Sequence, residues 1–199
     1  MSNADNASRE LVRARLEASA KVKTQMSQDP AIVALLADIA GRIVESLRGG
    51  GKVLICGNGG SAADAQHIAA ELVGKFYLVR APLPAVSLTT NTSSITAVGN
   101  DFSFDDIFEK QVRGLGRRGD VAIGISTSGN SENVIRALDA AREDGLVTVG
   151  FTGAKGGRLV DHADLCLRVP SDDTPRIQEA HITAGHIVCE LVEAAMFAK

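Results

Sequence analysis

One segment, CGNGGSAADAQHIAAE starting at Cys56, constrains the fold more than any other part of the chain. The apolar run at 52–56 predicts a buried strand. The turn that follows, residues 57–60, is rich in glycine and suits backbone angles that other residues avoid. Ser61 lies where a helix N-cap is expected, and residues 62–71 predict a helix. A strand, a glycine turn and a helix N-terminus in this order form an anion site.

The predicted helix carries His67 and Glu71, which are four residues apart and therefore share one face. Two interpretations of this pair are open. It is either a metal-capable or acid–base pair, or an ordinary surface pair worth roughly 0.2–0.5 kcal/mol. If the pair binds a metal or acts as acid and base, its place on the helix that follows a phosphate-binding turn predicts catalysis on a phosphorylated small molecule.

The glycine turn also matches a loose dinucleotide-binding pattern, G-x-G-x-x-A, which is weak by itself. That pattern requires an acidic residue about 20 residues further on to hold a ribose. Residues 80–88 contain no Asp or Glu, and the lysine of a Walker loop is also missing. The sequence therefore disfavours a nicotinamide or flavin site.

Composition and charge exclude several classes of protein. The 199 residues are 45% hydrophobic, which suits a single domain with a sizeable core, and the net charge is −3 without a basic patch for nucleic acid. No apolar run approaches the roughly 20 residues of a membrane span, and the N-terminus lacks a signal peptide. The three cysteines lack C-x-x-C spacing and are expected to be free thiols in a cytoplasmic protein.

Short apolar runs alternate with helical patterns from residue 52 onward. We predict an α/β fold with a doubly wound, five-stranded parallel sheet flanked by helices, which binds ligands at the carboxyl ends of its strands. The predicted strands are 52–56, 84–88, 121–125, 146–151 and 165–169. The predicted helices of this part are 61–74, about 104–114, 131–144 and 175–197.

Two helices are predicted before the first strand. Residues 8–25 are helix-prone but only loosely amphipathic, whereas Asp29-Pro30 begins a helix with a full apolar stripe that ends at Leu47. We therefore divide the chain into an N-terminal helical segment, 1–48, that serves oligomerisation, and an α/β domain, 49–199.

A second cradle follows the third predicted strand, where the chain reads STSGNS from Ser126 to Ser131. Hydroxyl groups, backbone N–H groups and a helix N-terminus can hold a phosphate without Lys or Arg. The alternative is an ordinary serine-rich turn with Asn130 or Ser131 as a helix cap. Six small polar residues directly after a buried strand favour the ligand site.

The last helix begins near Thr174-Pro175 and carries Gln178, His181 and His186. Gln178 and His186 are eight residues apart and lie within one broad stripe, while Gln178 and His181 share a face three residues apart. Periodicity alone does not decide which histidine acts together with Gln178.

Taken together, the glycine turn with its H-x-x-x-E helix, VGND at 98–101, the STSGNS loop and the Q-x₇-H spacing of the last helix resemble the sugar-isomerase (SIS) domain family, with its flavodoxin-like fold. More narrowly, they resemble the bacterial phosphoheptose isomerases, from about residue 30 to the end. The resemblance implies aldose–ketose isomerisation of sedoheptulose 7-phosphate to D-glycero-D-manno-heptose 7-phosphate, for the heptose of surface glycans. One departure is Lys75, where some relatives are expected to have Arg.

The resemblance also implies roles for particular residues. It selects His186 over His181, with Glu71 expected as the catalytic base and His186 as its partner acid. Because a residue does not easily ligate a metal and transfer protons at once, either Glu71 detaches from the metal or metal-free and metal-bound states alternate, and the sequence does not choose between these. One Zn²⁺ per subunit would be held by His67, Glu71, Gln178 and His186. The phosphate would be held by Ser126, Thr127, Ser128 and Ser131. The sugar would be lined by Asn58, Gly59, Gly60, Ser61, Asn100 and Asp101, together with Glu71 and Gln178.

Finally, the resemblance implies a homotetramer with active sites at the subunit interfaces, which agrees with the thin apolar stripe of the first helix. A different class of function remains as the alternative: some SIS-domain proteins are non-catalytic binders, including an adaptor of the bacterial replication initiator. Such chains lose the Glu of the first domain helix and the last-helix His, whereas Glu71 and His186 are both present here.

Overall fold

The structure is a computed structural model that describes the backbone of residues 3–197 and the side chains from residue 6 to residue 197. The outermost residues of both predicted segments therefore lie outside the described part. Five strands form one parallel sheet in the order β2-β1-β3-β4-β5, which confirms the predicted doubly wound, flavodoxin-like fold. The strands are β1 (Val53–Gly57), β2 (Ala85–Ser87), β3 (Val121–Ile125), β4 (Val147–Thr152) and β5 (Leu165–Arg168).

Helices surround the sheet and supply both of its covering layers. They are α1 (Asn3–Gln28), α2 (Pro30–Arg48), α3 (Gly60–Val73), α4 (Thr92–Asp101), α5 (Glu109–Leu115), α6 (Glu132–Glu143) and α7 (Thr174–Phe197), with short 3₁₀ turns at Phe104–Asp106 and Arg158–His162. Among the described helices, none is both long and apolar enough to cross a membrane.

The middle of the chain differs from the prediction in two ways. Helix α4 was not predicted, and the helix predicted at about 104–114 is a 3₁₀ turn followed by the shorter α5. The break has a local cause at Ser103. Its hydroxyl accepts a hydrogen bond from the N–H of Asp105 at 3.1 Å and donates to the Asp106 carboxylate at 2.8 Å, which tightens the chain there.

Alternate residues of the central strands face two separate cores. Val53 and Ile55 of β1 pack in a cluster with α2, α3 and α7, whereas Leu54 packs on the opposite face with α5 and α6. The five residues of β1 and the five of β3 are all buried, as expected for parallel strands covered on both sides. The sheet is thus the middle layer of a three-layer sandwich.

The N-terminal helices differ in how much they bury. Asp29 caps α2 by accepting a hydrogen bond from the N–H of Ala31 at 2.9 Å, and the apolar stripe of α2 joins the core shared by the sheet and α7. On α1, by contrast, Leu11, Val12 and Leu16 are each more than half exposed. The division at residue 48 and its role in oligomerisation remain predictions.

The neighbouring strands β1 and β3 define where a ligand site can lie. Their registers pair Cys56 with Gly124 and Gly57 with Ile125, so both strands end at the same edge of the sheet. The helix that follows β1 covers one face and the helix that follows β3 covers the other. Such a switch point opens a crevice at the carboxyl ends of the strands, and both predicted cradles lie there.

Candidate active site

The glycine turn after β1 is shaped by close backbone approaches. A Cβ on Gly57 would lie 2.7 Å from the carbonyl oxygen of Ser61, and Gly59 has φ +56°, so both positions favour glycine. Gly59 is the N-cap of α3, and the helix begins at Gly60. The prediction that Ser61 is the N-cap is therefore wrong by two residues: Ser61 is buried in the first turn, because the left-handed Gly59 turns the chain earlier.

Asn58 links the two cradles. Its side-chain amide and that of Asn133, at the start of α6, exchange two hydrogen bonds of 2.8 and 3.0 Å. Asn133 is buried, whereas Asn58 is partly exposed and keeps one donor and one acceptor lone pair for a ligand. The glycine turn and the hydroxyl-rich loop are thereby fixed relative to each other.

Three potential metal ligands meet where α3 and α7 pack. The His67 Nε2 atom lies 3.0 Å from Glu71 Oε1 and 3.2 Å from His186 Nε2, and one ligand atom from each residue falls within 4.8 Å of the others. The two helices approach closely at Gly185, where a Cβ would lie 2.7 Å from Ile68 Cδ1. We call His67, Glu71 and His186 the triad.

His181 belongs to the core and not to the triad. Its side chain is fully buried, and its Nε2 atom lies 3.2 Å from the carbonyl oxygen of Thr152. Burial lowers the pKa of His181 to about 4, against a smaller opposing effect of that hydrogen bond, so the ring is neutral near pH 7. The structure thus separates the two histidines that periodicity left equivalent.

The triad fits a zinc ion by its chemistry and spacing. Histidine nitrogens and a carboxylate are ordinary zinc ligands, and tetrahedral ligand atoms about 2.0–2.1 Å from the ion are about 3.3–3.4 Å apart. The two Nε2 atoms, 3.2 Å apart, match that separation. The Gln178 amide lies against Gly60 at the start of α3, so close that a Cβ on Gly60 would collide with it. Its role as a fourth ligand stays a prediction.

The hydroxyl-rich loop after β3 forms a second part of the crevice. Ser126 is buried and its Oγ atom lies 2.9 Å from Ser131 Oγ, so one of these hydroxyls donates to the other. Ser131 is the N-cap of α6 but makes no side-chain capping bond. Thr127 and Ser128 line a cavity of about 250 Å³, together with Asn130, Gly153, Lys155, Asp172, Thr174 and Ile177.

The predicted sugar-lining residues Asn100 and Asp101 lie at the end of α4. Asn100 Nδ2 donates to Asp101 Oδ1 at 2.8 Å, and both residues are exposed. They bond to each other, and their place in a substrate site remains a prediction.

Two polar residues near the candidate sites were not predicted from the sequence. Lys155 follows β4, where a carboxyl-end position was the available signal, and its Nζ lies 4.0 Å from Asp172. Asp64 lies one turn before His67, which a D-x-x-H spacing could have indicated. Burial raises the pKa of Asp64 to about 6, partly offset by His67, and its Oδ2 is buried without a hydrogen-bond partner among the described residues.

The three cysteines are free thiols, as expected. Cys56 and Cys189 are buried, and burial raises the pKa of both to about 12. The neutral thiols are therefore poor nucleophiles and poor metal ligands near pH 7.

Comparison with known proteins gives one consistent family. The SIS domain model matches residues 18–153. A phosphoheptose isomerase of Roseiflexus sp. strain RS-1 is 60% identical over 184 residues, which cover 92% of this chain and 91% of the relative. A phosphoheptose isomerase of Rhodospirillum rubrum is 59% identical over 161 residues, covering 81% of this chain and 86% of the relative.

A solved structure agrees with these relatives. The phosphoheptose isomerase of Neisseria gonorrhoeae superposes with a TM-score of 0.88 at 45% identity, covering 94% of this chain and 98% of that one. The chain therefore belongs to the phosphoheptose isomerase family of SIS-domain proteins.

Proposed function

We propose that this chain isomerises sedoheptulose 7-phosphate to D-glycero-D-manno-heptose 7-phosphate in the cytoplasm, for the heptose of lipopolysaccharide or another surface glycan. The proposal is carried by the His–Glu triad between α3 and α7, in a chain that also has a hydroxyl-rich helix N-terminus after β3 and is 60% identical to a phosphoheptose isomerase. The triad would act on the carbonyl end of a sugar phosphate, and the hydroxyl-rich loop would bind a phosphate end.

The reaction moves a proton between carbons 1 and 2 through an enediol, and it needs a base as well as charge stabilisation at the oxygens. Glu71 is proposed to take and return the carbon-bound proton, because its carboxylate is partly exposed beside His67. His186 is proposed to exchange a proton with the sugar oxygens. Zn²⁺, held by His67, Glu71, Gln178 and His186, would supply a Lewis acid for the carbonyl oxygen.

The substrate phosphate is proposed to bind at the loop of Ser126, Thr127, Ser128 and Ser131. Replacing Ser128 with alanine removes an exposed hydroxyl and should cost roughly 1.5–3 kcal/mol of phosphate binding, or about tenfold or more in affinity. Calorimetry with sedoheptulose 7-phosphate measures this loss. Unphosphorylated sedoheptulose should bind equally poorly to wild type and variant, and an equal loss for both sugars would contradict the role of the loop.

The proposed function is tested by incubating purified protein with sedoheptulose 7-phosphate and measuring the aldose product. We expect turnover of the phosphorylated ketose and little turnover of free sedoheptulose. The non-catalytic alternative predicts binding of the sugar phosphate without product. That alternative lacks support from the site, because Glu71 and His186 are both present and adjoin the same histidine.

A homotetramer with active sites at the subunit interfaces is proposed as the working assembly. It is supported by a groove of about 400 Å³ between α1, α2 and α7, which is lined almost entirely by apolar surface and includes Val33, Ile187 and Leu191. Leu11, Val12 and Leu16 on α1 are exposed as well. A second chain would bury this apolar surface and help to exclude water from a polar site.

Leu16→Glu tests the assembly without disturbing the core of one subunit, since the Leu16 side chain is 67% exposed. Light scattering of wild type should give a mass four times the 20.8 kDa of one chain, about 83 kDa. The variant should give a smaller species with reduced turnover, whereas Leu115→Glu on α5 should change neither. A wild-type monomer that is fully active would contradict the proposal.

A further inference from the structure

A buried carboxylate on α7 binds the backbone of the segment that follows α3. Glu193 accepts hydrogen bonds from three consecutive backbone N–H groups, those of Phe76 at 3.1 Å, Tyr77 at 2.7 Å and Leu78 at 2.9 Å. Its Oε1 also accepts from Arg80 Nε at 2.8 Å. The two side chains are only 2% and 3% exposed, so four donors converge on one desolvated carboxylate.

The guanidinium of Arg80 in turn holds the end of α3. It donates to the carbonyl oxygens of Glu71 at 2.9 Å and Leu72 at 2.8 Å, and also to those of Gly74 and Ala81 at 3.3 and 3.1 Å. The last carbonyls of a helix lack partners within the helix. Arg80 supplies these partners and thereby fixes the backbone from which the Glu71 side chain projects.

The same network reaches the other side of the triad. Glu193 follows His186 by seven residues, two turns further along α7 and on the same face. Phe76, whose N–H bonds to Glu193, has its ring centroid 5.8 Å from that of His186. Arg80 and Glu193 therefore join the backbone of Glu71 on α3 to the surroundings of His186 on α7.

Stability alone is a weak explanation for this arrangement. Desolvating two charges is costly, and apolar side chains of similar size often give an equally stable or more stable core. A role in positioning explains the pair better. Two helices that carry ligands of one site need a rigid connection, because a ligand set must be held to fractions of an ångström.

We propose that Arg80 and Glu193 are positioning residues for the isomerase site, which set the distance of Glu71 from His186. This inference rests on the proposed function, since it concerns the same triad. Burial by itself would raise the pKa of Glu193, but the three backbone hydrogen bonds and Arg80 outweigh it and lower the pKa to about 2. The Arg80–Glu193 pair thus stays charged across neutral pH and does not act as a pH switch. We call this pair the brace, because it connects α3 and α7.

The experiment compares Glu193→Gln with Asp120→Asn in the full-length protein. Asp120 is a matched control that precedes β3 and has no bond to α3 or α7; it is buried and accepts from the N–H groups of Lys52 and Arg117 and from Lys52 Nζ. Both variants replace a buried, multiply bonded carboxylate by its amide. Both should therefore melt earlier than wild type, and all assays are run well below the melting temperatures.

Only the Glu193 variant should affect the site. We expect its kcat to fall about 10- to 100-fold, and its affinity for Zn²⁺ alone, measured by competition with a chromogenic chelator, to fall by a similar factor. The KM for sedoheptulose 7-phosphate should change less than about twofold, because the phosphate loop lies on β3 and α6, away from the brace. Asp120→Asn should keep wild-type kcat and zinc affinity.

The outcomes separate this inference from the proposed function. Wild-type kcat and zinc affinity in Glu193→Gln, or equal losses in Asp120→Asn, would overturn the positioning role. Arg80→Lys, which keeps the charge but cannot span the carbonyls of Glu71 and Leu72, replaces Glu193→Gln if that variant does not fold, and the same losses are expected. An inactive wild type that binds zinc refutes the proposed function, while the comparison of zinc affinities still decides the role of the brace.

Discussion

Replacing Glu71 with glutamine lowers kcat by a factor of about 10²–10⁴, the usual contribution of a positioned general base. Glutamine keeps the shape of the side chain but cannot take a proton from carbon. The KM for the sugar phosphate should change little, because the phosphate loop is intact, and circular dichroism should match wild type. Steady-state kinetics on Glu71→Gln measures the effect.

The matched control for this variant is Glu45→Gln on α2, which also changes a helical glutamate to its amide. Glu45 is exposed and pairs with Arg42 at 3.4 Å, away from the crevice. We expect wild-type kcat in this control. Full turnover by Glu71→Gln would rule out Glu71 as the base. Metal binding would then be the only proposed role left for Glu71.

Replacing His67 with alanine weakens zinc binding by at least about 100-fold, because loss of a ligand should exceed the 10- to 100-fold typical of residues that only support one. His67 is the member of the triad that lies within 3.2 Å of both others, so no neighbouring group takes its place. Chelator competition with Zn²⁺ measures the affinity directly, without reference to activity.

His162→Ala provides the comparison for the metal measurement. His162 is also a histidine within 3 Å of a carboxylate, with its Nδ1 2.6 Å from Asp139, but this pair lies between α6 and the second 3₁₀ turn. The control should bind zinc like wild type. Equal zinc affinity in His67→Ala and wild type would contradict the metal site.

The sheet was predictable because its strands carry strong local signals. Residues 121–125 are apolar or small, follow a Gly-Asp turn and end at a polar loop, and the predicted strand coincides with β3 (Val121–Ile125). The N-cap of α2 at Asp29 was equally clear, since Pro follows at the first helical position. Local chemistry determines these features, and no distant contact overrides them.

Helix α4 was missed because its sequence offers no apolar stripe. None of its residues is buried, and Ile95 and Val98 are only partly covered by the neighbouring core. The available signal was its cap: Asn91 Oδ1 accepts from the N–H of Ser94 at 3.0 Å. A helix with a cap but no apolar stripe lacks the periodicity on which helix prediction depends.

The choice between His181 and His186 and the role of Glu193 depend on contacts between distant parts of the chain. The His67–His186 contact joins residues 119 positions apart, and the Arg80–Glu193 pair joins residues 113 positions apart. Periodicity places residues on a face of one helix, but it does not say which face meets which neighbour. The resemblance to a family supplied His186, whereas it supplied nothing about Arg80 or Glu193.

The most direct test of the central claim is NMR of sedoheptulose 7-phosphate incubated with wild-type protein in D₂O. Glu71 has a side chain that is 24% exposed, so a proton it carries should exchange with solvent during the lifetime of the enediol. We predict an aldose heptose 7-phosphate that carries deuterium at carbon 2. Unchanged ketose, or an aldose with only protium at carbon 2, would contradict proton transfer by a base at this site.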